Sequence, residues 1–389
     1  VNLGPNWASG QEVALRLICL TFAASVFGAN APVSAARLAE HAARIPPTLV
    51  YARAQNNNHL LSEAVGLYSA ASLLPNHPQA GTWRKTGWRW LNHCFQHQIA
   101  PDGAYIQHSM NYHRLMLQLA LWARCVAHRQ GQMLPPESQS RLAAATQWLL
   151  ERIDPISGRV PNLGHNDGAY ILPLAGGGFG DYRPVAQAAS RAFLGSAFLP
   201  SGPWDEMSLW LGDLAPDETR PHTLTLDPQP HLILRSRESW ASLRAVQYAT
   251  RPGQADLLHV DLWWRGEAVT LDPGTFQYNA APPWENALAG TAVHNTVTVG
   301  NQDQMRRAGR FLWLDWPKVH IYNLPASDRK LAAFHEGYAR RSQVIHRREL
   351  SQDGENTWLV VDKLLASGTP GLAGMTLHWL LPDPPWQLD

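Results

Sequence analysis

The chain has 389 residues, of which 45% are hydrophobic, so it is long enough to bury a full core and to form more than one domain. Its 32 lysines and arginines against 31 aspartates and glutamates give a formal net charge of +1, which excludes the overall basic field of a nucleic-acid-binding protein. Its three cysteines are widely spaced, which excludes a disulfide framework and a zinc ribbon: Cys19, Cys94 and Cys125.

The start of the chain shows neither an initiator Met nor the charged, apolar and small-residue run of a signal peptide. We therefore expect the sequence to be a piece of a longer or processed protein. Its longest apolar run, at 17–29, covers about 13 residues and falls short of the roughly 20 that span a bilayer. We expect a buried core helix there, and no membrane span.

The first half of the chain, residues 7–198, has apolar residues at spacings of three and four, separated by Pro and Gly, as in α-helices. Short loops between helices favour antiparallel neighbours. This half is therefore predicted to be a stack of helical hairpins, either a bundle or part of an α/α toroid. The predicted helices lie at 7–29, 33–45, 48–73, 80–98, 111–130, 136–152 and 184–196.

The texture changes at 200–230 to a Pro- and Asp-rich loop, and short β-type runs follow it. We predict a helical domain at 1–205 and an antiparallel β-sandwich domain at 225–389, because the runs are spaced as in a sandwich. The strand candidates lie at 231–235, 241–248, 257–264, 268–271, 296–299 and 357–361.

The first group of candidate functional residues is Asn57-Asn58-His59, followed by Glu63. His59 and Glu63 are four residues apart and share one helix face, so the carboxylate is placed to orient the imidazole. Asparagines are poor helix formers, so a helix that begins among Asn56, Asn57 and Asn58 needs another reason. The alternative is a polar first turn whose amides cap the helix.

The second group lies in a polar and aromatic loop, residues 102–114, that opens directly onto a helix. Tyr112 is a candidate proton donor or base if burial or a nearby cation lowers its pKa from about 10, and His113 is placed to support it. The alternative is a buried tyrosine ring whose hydroxyl is hydrogen-bonded.

A third loop, residues 161–168, offers amide, imidazole and carboxylate groups between helices. His165 is its candidate for substrate contact, and an Asx turn explains Asn166 and Asp167 equally well.

The β half contains a set of histidines and aspartates on neighbouring strands. His259 and His294, with an aspartate from Asp261 or Asp272, have the residue types of a zinc site with one open position. The alternative is that each histidine is a hydrogen-bonded core residue.

These segments, in this order, resemble the heparinase II/III superfamily, which also includes related alginate and oligouronide lyases. The resemblance runs from Asn6 to about Gln304. Its strongest parts are Asn57-Asn58-His59 with Glu63, Gln107-His108-Ser109 leading to Tyr112-His113, His259 with Asp261, Asp272-Pro273-Gly274-Thr275, and His294-Asn295-Thr296-Val297.

The resemblance implies a fold and an activity. The fold is an α+β arrangement of an incomplete α/α toroid followed by an antiparallel β-sandwich, with further helices before Val1 and further strands after Asp389. The activity is cleavage of a uronic-acid-containing polysaccharide by β-elimination. His259, Asp272 and His294 match the zinc-binding triad of several relatives, and we expect this zinc to be structural.

The resemblance also implies residue roles. Asn58 would neutralise the uronate carboxylate, as an oxyanion hole does, and His59 would be a base or a second neutraliser. Tyr112 would protonate the leaving glycosidic oxygen and, for one C5 epimer, also take the C5 proton. Tyr278 would reach the substrate from the β side, and Arg306 would pair with a sugar carboxylate. The predicted substrate-binding residues are Glu63, Gln107, His113, His165, Tyr278 and Arg306.

Two other functions are also consistent with the sequence. One is a glycoside hydrolase that uses paired carboxylates from among Glu63, Asp102 and Asp167. The other is a catalytically inactive exopolysaccharide-binding or export module. We expect an acidic polysaccharide or oligosaccharide as the partner, no nucleic acid, and a periplasmic or secreted location, while the oligomeric state stays open. The absence of a stretch dense in Lys and Arg disfavours heparin itself.

Overall fold

The computed structural model describes residues 4, 7–30, 33–212, 232–367 and 374–383. The chain divides into two compact units. The first comprises Val1–Ile106, Tyr112–Leu150 and Ala169–Thr223, and the second comprises Gln107–Asn111, Glu151–Gly168 and Leu224–Asp389. Helices precede antiparallel sheets along the chain, which confirms the predicted α+β class. The predicted linker at 200–230 lies largely outside the described residues.

The first unit is helical, and most of its helices lie within a few residues of their predicted positions. In chain order the α-helices of its described part are α1 Gly10–Phe27, α2 Ala35–Arg44, α3 Leu49–Gln55, α4 Asn58–Leu73, α5 Ala80–His97, α6 Met110–Arg129, α7 Pro136–Leu150, α8 Arg183–Ala189 and α9 Glu206–Leu211. Helix α9 was not predicted, and α8 continues as a π-helical turn at Ser190–Leu194.

The single helix predicted at 48–73 is wrong, because the structure breaks it into α3 and α4. Asn56 ends α3 in the left-handed conformation, with φ 45°, which asparagine adopts more readily than most residues. The Asn57 side chain then accepts a hydrogen bond from the His59 N–H at 3.0 Å and caps α4. The run of asparagines is therefore a helix boundary.

Helix α4 is the centre of the first unit, because every residue from Leu60 to Ala71 is buried. Helix α5 lies close to it at Gly87. A Cβ atom on Gly87 would stand 2.7 Å from both the Ala64 carbonyl oxygen and the Tyr68 backbone nitrogen. Only a glycine allows this approach without a shift of the backbone.

Helix α1 is long and apolar enough to cross a membrane by length and composition, with a mean hydropathy of 1.4 over Gly10–Phe27. One side of it is buried, including Val13, Leu17 and Ile18, and Ala14 lies against Gly66 of α4. A core helix of a folded domain has this composition too, so the expected absence of a membrane span stays a prediction.

The second unit is built from antiparallel strands. Those of the described part are β1 Ile233–Arg235, β2 Ser239–Leu243, β3 Val260–Trp264, β4 Glu267–Ala268, β5 Val297–Val299, β6 Arg306–Gly309, β7 Leu312–Leu314, β8 Val319–Ile321, β9 Lys330–His335, β10 Val344–Asp353, β11 Thr357–Ala366 and β12 Met375–Leu377. They form one sheet of order β1-β2-β3-β4, one of order β11-β10-β9-β8, and the pairs β12-β5 and β6-β7.

The two four-stranded sheets share a core. Leu234, Leu243 and Val260 of the first sheet pack in one buried cluster with Leu331 and Leu350 of the second. Inward-facing residues from two sheets that meet in one layer are the arrangement of a β-sandwich. All six strand candidates correspond to strands, namely β1 to β5 and β11. The first residue of the first candidate, His231, lies outside the described residues.

The strands β6 to β10 and β12 were not predicted, and β10 is the longest of these. It pairs with β11 over its full length, from Val344 opposite Ala366 to Asp353 opposite Thr357. Two of the residues that β10 turns inward are His346 and Arg348, both fully buried. Because these inward residues are polar, β10 lacks the apolar alternation that marks a half-buried strand.

Two segments that precede the strands in the chain, Gln107–Asn111 and Glu151–Gly168, pack within the second unit. The Met110 N–H donates to the Leu163 carbonyl at 3.0 Å, and the Ser109 hydroxyl donates to the His165 carbonyl at 2.5 Å. These hydrogen bonds join the two segments to each other.

We expect Gly87→Ala to destabilise the protein by about 1–3 kcal/mol, because the added methyl group overpacks α4 against α5. Gly81→Ala in the same helix is the matched control, since a Cβ there meets nothing within 4 Å. That control should stabilise by up to about 1 kcal/mol through helix propensity. Urea unfolding of both variants measures the difference, and equal effects would show that the close approach is absent.

Candidate functional site

A potential metal-binding group lies in the second unit, formed by the three residues predicted for it. One ligand atom from each of His259, Asp272 and His294 lies within 4.8 Å of the others. The Asp272 Oδ2 atom is 3.9 Å from His259 Nε2 and 3.7 Å from His294 Nδ1. All three residues are buried.

Several of the potential ligand atoms in this group lack a hydrogen-bond partner. Both ring nitrogens of His294, and the Oδ2 atom of Asp272, have no hydrogen-bond partner among the described residues. Burial lowers the pKa of His294 to about 3 and raises the pKa of Asp272 to about 7. Buried and unpaired donors of these types that converge on one point fit a divalent cation, which would replace the missing partners.

His259 is held on both sides of its ring. Its Nδ1 atom accepts a hydrogen bond from the Asn295 N–H at 3.0 Å, and its Nε2 atom is 3.4 Å from Asp261 Oδ1. Burial opposes a charged His259 ring, but the carboxylates of Asp261, Asp272 and Asp256 together outweigh burial, and the pKa of His259 is raised.

Asn295 fixes the backbone around the group. Its side-chain NH₂ donates to the carbonyls of Val260 and Leu271, each at 3.0 Å. Its side-chain oxygen accepts from the Leu380 N–H at 2.6 Å. One buried amide therefore joins the chain segments that follow His259, precede Asp272 and follow His294.

Arg348 provides a second layer of support. Its guanidinium donates from Nη1 to the carbonyl of Leu258 at 2.6 Å and to the carbonyl of Asn295 at 2.5 Å. Its Nε and Nη2 atoms form a two-point contact with Asp362, at 2.7 and 2.9 Å. The two carbonyls belong to the residues next to His259 and His294, so Arg348 holds the backbone of both.

Two histidines complete this network, and their protons have one consistent assignment. His335 Nδ1 accepts from the Gly337 N–H at 3.0 Å, so His335 Nε2 carries the proton and faces His346 Nδ1 at 3.3 Å. His346 Nε2 then donates to Asp362 Oδ1 at 2.6 Å. Burial lowers the pKa of both histidines, so both rings are neutral, whereas the pKa of Asp362 is lowered by its hydrogen bonds despite burial.

The first unit contains the Asn57-Asn58-His59 turn. Gln98, at the end of α5, donates from Nε2 to the Asn56 side-chain oxygen and to the Asn57 carbonyl, each at 3.1 Å. Asn57 supplies the cap, so the capping interpretation holds for that residue. Asn58 is the buried first residue of α4, and His59, the next residue, is partly exposed.

Glu63 is buried one turn further along α4. Its Oε2 atom accepts a hydrogen bond from the Thr48 hydroxyl at 2.9 Å. Burial raises the pKa of Glu63 to about 7, and the Thr48 hydrogen bond only partly offsets that effect. The contact described here is with Thr48, so the part of Glu63 in orienting His59 or binding substrate stays a prediction.

Tyr112 and His113 lie in the first turn of α6 and are buried. The His113 ring stacks on Trp148 with centroids 4.7 Å apart, and His113 Nε2 hydrogen-bonds the Ala145 carbonyl at 2.9 Å. The structure thus places His113 in the helical core beside α7. Its predicted substrate contact and its support of Tyr112 stay predictions.

His165 and Tyr278, both predicted to bind substrate, are brought together in the second unit. With Phe311 they form three edge-on ring contacts, at centroid distances of 5.4, 5.6 and 5.0 Å. Asn286 Nδ2 is 3.5 Å from His165 Nε2. Burial lowers the pKa of His165 to about 4, so the ring is neutral at pH 7. Phe311 and Asn286 were missed, since nothing in the sequence marks their approach.

The remaining predicted residues lie elsewhere in the second unit. Gln107 is partly buried in the 107–111 segment, beside His108, which has a positive φ of 49° and a buried ring edge-on to Tyr248. Arg306 is exposed on β6 and pairs with Asp315 at 3.0 Å. A sugar carboxylate at Arg306 would therefore compete with Asp315.

Two family profiles match the sequence. The profile described as "Heparinase II/III N-terminus" matches residues 12–167, and "Heparinase II/III-like, C-terminal" matches residues 231–385. A heparin-sulfate lyase from Bacteroides stercoris is 23% identical over 344 residues, which are 84% of this chain and 46% of that protein.

Solved structures share the fold. A heparinase III gene product has a TM-score of 0.66 at 18% identity, over 98% of this chain and 56% of that one. Heparan sulfate lyase HepC from Pedobacter heparinus has a TM-score of 0.60 at 18% identity, over 96% of this chain and 56% of that one. The chain thus spans about half the length of these relatives.

We expect Arg348→Met to destabilise the protein by about 3–5 kcal/mol, because the Asp362 carboxylate loses its guanidinium partner and keeps only the hydrogen bond from His346. Arg347→Met on the same strand is the matched control, since Arg347 is partly exposed and its loss should cost less than about 1 kcal/mol. Chemical unfolding measures both. A loss below 1 kcal/mol for Arg348→Met would contradict the network.

We expect Glu63→Gln to change how stability depends on pH. Folding raises the pKa of Glu63 from 4.5 to about 7, so wild-type protein loses stability as the pH rises through that interval. The variant should match wild type at pH 4 and exceed it at pH 8 by about 3 kcal/mol, at about 1.4 kcal/mol per pKa unit. Urea unfolding at both pH values tests this, and a constant difference would refute it.

Proposed function

Because this chain belongs to the heparinase II/III family, we propose that it is a polysaccharide lyase that cleaves a uronic-acid-containing polysaccharide by β-elimination. The match covers both the N-terminal and the C-terminal regions of the family. The relative from Bacteroides stercoris is named a heparin-sulfate lyase, which supports a polysaccharide substrate.

The observation that carries this proposal is the geometry of the Asn57-Asn58 turn. Asn57 caps α4 and Gln98 holds the backbone, so Asn58 does not serve as the cap. Asn58 stands at the N-terminus of a helix of 16 residues, where the helix dipole favours an anion. A uronate carboxylate bound there would be neutralised by the Asn58 amide and by the helix dipole.

This neutralisation is what the reaction requires. The C5 proton of a uronate is weakly acidic until the neighbouring carboxylate loses its charge, because the electrons left on C5 delocalise into that group. Hydrogen bonds that strengthen as this charge develops lower the barrier. Asn58 is the residue assigned to this role.

Tyr112 and His59 are assigned to proton transfer. A base, either His59 or Tyr112 according to the C5 epimer, takes the C5 proton. The C5–H electron pair forms the C4–C5 double bond as the C4–O4 bond breaks, and the Tyr112 hydroxyl protonates the departing O4. The products are an unsaturated uronate and a new hydroxyl end.

We assign zinc to the group of His259, Asp272 and His294, whose nitrogen and oxygen donors suit it. Bound there, the metal would supply positive charge to a buried carboxylate and brace the surrounding backbone. The support comes from the unpaired buried donors of Asp272 and His294.

We expect Tyr112→Phe and Asn58→Ala each to lower kcat by about 100-fold or more, as removal of a transition-state donor commonly does. Tyr51→Phe is the control, because Tyr51 is 63% exposed on α3. The measurement is ultraviolet absorbance of the unsaturated product from alginate, polygalacturonate and glycosaminoglycans. Reducing ends without that absorbance would identify a hydrolase, and unchanged turnover in Tyr112→Phe would refute the mechanism.

We expect about one zinc per chain in the purified protein, by elemental analysis, because the group offers three donors to one ion. His294→Ala should lose the metal, whereas His320→Ala should keep it, since His320 lies on the exposed face of β8. A wild-type protein that is free of metal and equally stable with and without a chelator would contradict the assignment.

A further inference from the structure

We propose that one face of α5, together with Arg53 of α3, binds an acidic polysaccharide chain and leads it to the Asn57-Asn58 turn. We call this face the α5 surface and define it as Arg53, Arg89, Trp90, His93 and His97. The inference rests on the proposed function, because it assigns to that activity a polymer-binding surface beyond the reacting sugar.

The charge of the chain is segregated around this surface. The whole protein is nearly neutral, at +1, but residues 41–101 contain five Lys or Arg side chains and only one carboxylate. That carboxylate, Glu63, is buried, and its pKa is raised to about 7. No Asp or Glu occurs from 64 to 101. This segment of the first unit therefore carries an excess of positive charge that the net charge of the whole chain does not reveal.

The surface combines guanidinium groups with an aromatic ring. The Arg53 guanidinium carbon is 4.5 Å from the Trp90 ring centroid, and that of Arg89 is 5.2 Å from it. Within the described part of the chain, neither arginine forms an ion pair with a carboxylate. Two exposed cations beside one indole are thus left without a negative partner.

Two histidines extend the surface along α5. The His93 ring is edge-on to Trp90 at 5.2 Å, and His97 follows at 4.4 Å from His93. The three residues are spaced by three and four positions, so they form a stripe of about two helical turns, roughly 11 Å long. Burial lowers the pKa of His93, and the positive neighbours His97, Arg89 and Arg53 lower it further.

The chemistry of this surface fits an anionic sugar polymer. Guanidinium groups bind carboxylates and sulfates through two parallel hydrogen bonds, and the Trp90 ring packs against both guanidiniums and holds them side by side. A uronic-acid polysaccharide presents a carboxylate on each of its uronate rings. A stripe two turns long has room for more than one sugar ring.

The direction of the stripe connects it to the candidate catalytic turn. His97 is followed by Gln98, whose side-chain NH₂ donates to the Asn56 side chain and the Asn57 carbonyl. Arg53 lies three residues before Asn56, in the last turn of α3. Both edges of the α5 surface therefore end at the turn that presents Asn58.

The test is direct binding of alginate, polygalacturonate and heparan sulfate, with neutral dextran as the blank, to the 389-residue chain carrying Tyr112→Phe to suppress turnover. Adding Arg53→Glu and Arg89→Glu should raise the Kd for at least one acidic polysaccharide about tenfold and weaken its dependence on NaCl. The control pair Arg129→Glu and Arg237→Glu removes the same charge from exposed positions elsewhere and should shift the Kd less than twofold.

Several results would overturn the inference: no binding of any acidic polysaccharide, equal losses in the test and control pairs, or tighter binding of duplex DNA than of every polysaccharide. Arg53→Gln with Arg89→Gln, a milder pair, covers the case in which charge reversal impairs folding. Turnover is measured separately, in chains that retain Tyr112. Unsaturated products together with unaltered binding would refute the α5 surface and support the lyase activity. Altered binding without such products would refute the lyase activity and support the α5 surface.

Discussion

The second unit depends on one buried guanidinium. Arg348 projects from the middle of β10, contacts Asp362 on β11, and reaches the carbonyls of Leu258 and Asn295. A charge in this position is costly unless it is paired and hydrogen-bonded. The Asp362 carboxylate and the two carbonyls accept four hydrogen bonds from Arg348. His346 also donates to Asp362, and the contacts with Leu258 and Asn295 fix the backbone next to two of the potential metal ligands.

In the first unit, a polar turn has the corresponding role. Asn56 reverses the backbone at a positive φ, Asn57 caps α4, and Gln98 holds both from α5. Asn56 and Asn57 occupy cap positions that asparagine favours, so only Asn58 lies inside the helix, where asparagine is a poor helix former. Its presence there is explained if the turn must hold Asn58 at a helix N-terminus, which is the role that the proposed β-elimination gives it.

The sequence made the helical half largely predictable, because apolar residues recur at spacings of three and four in helix-length segments that Pro and Gly separate. It misjudged 48–73, since the apolar period continues across a break that Asn56 makes through its backbone conformation. In the second unit, strands with apolar faces such as β3 were predicted, whereas β10 was missed because its inward residues include His346 and Arg348.

The candidate site divides in the same way. His259, Asp272 and His294 were grouped through family resemblance, and the structure brings them together. Phe311 and Asn286 reach His165 from parts of the chain more than a hundred residues away. The local sequence pattern does not predict such contacts, because they form only when distant segments of the chain pack together.

The placement of Gln107–Asn111 and Glu151–Gly168 in the strand-rich unit has a consequence for biogenesis. Both segments leave the ribosome before the strands that they join, so they must wait, with their partners still unsynthesised, while the helices around them form. If the helical unit folds during synthesis, these two segments still lack the strands with which they pack in the second unit. No single cut in the chain would separate the two units, because each unit contains three separate segments. The two early segments can complete their packing only after the later strands have been synthesised.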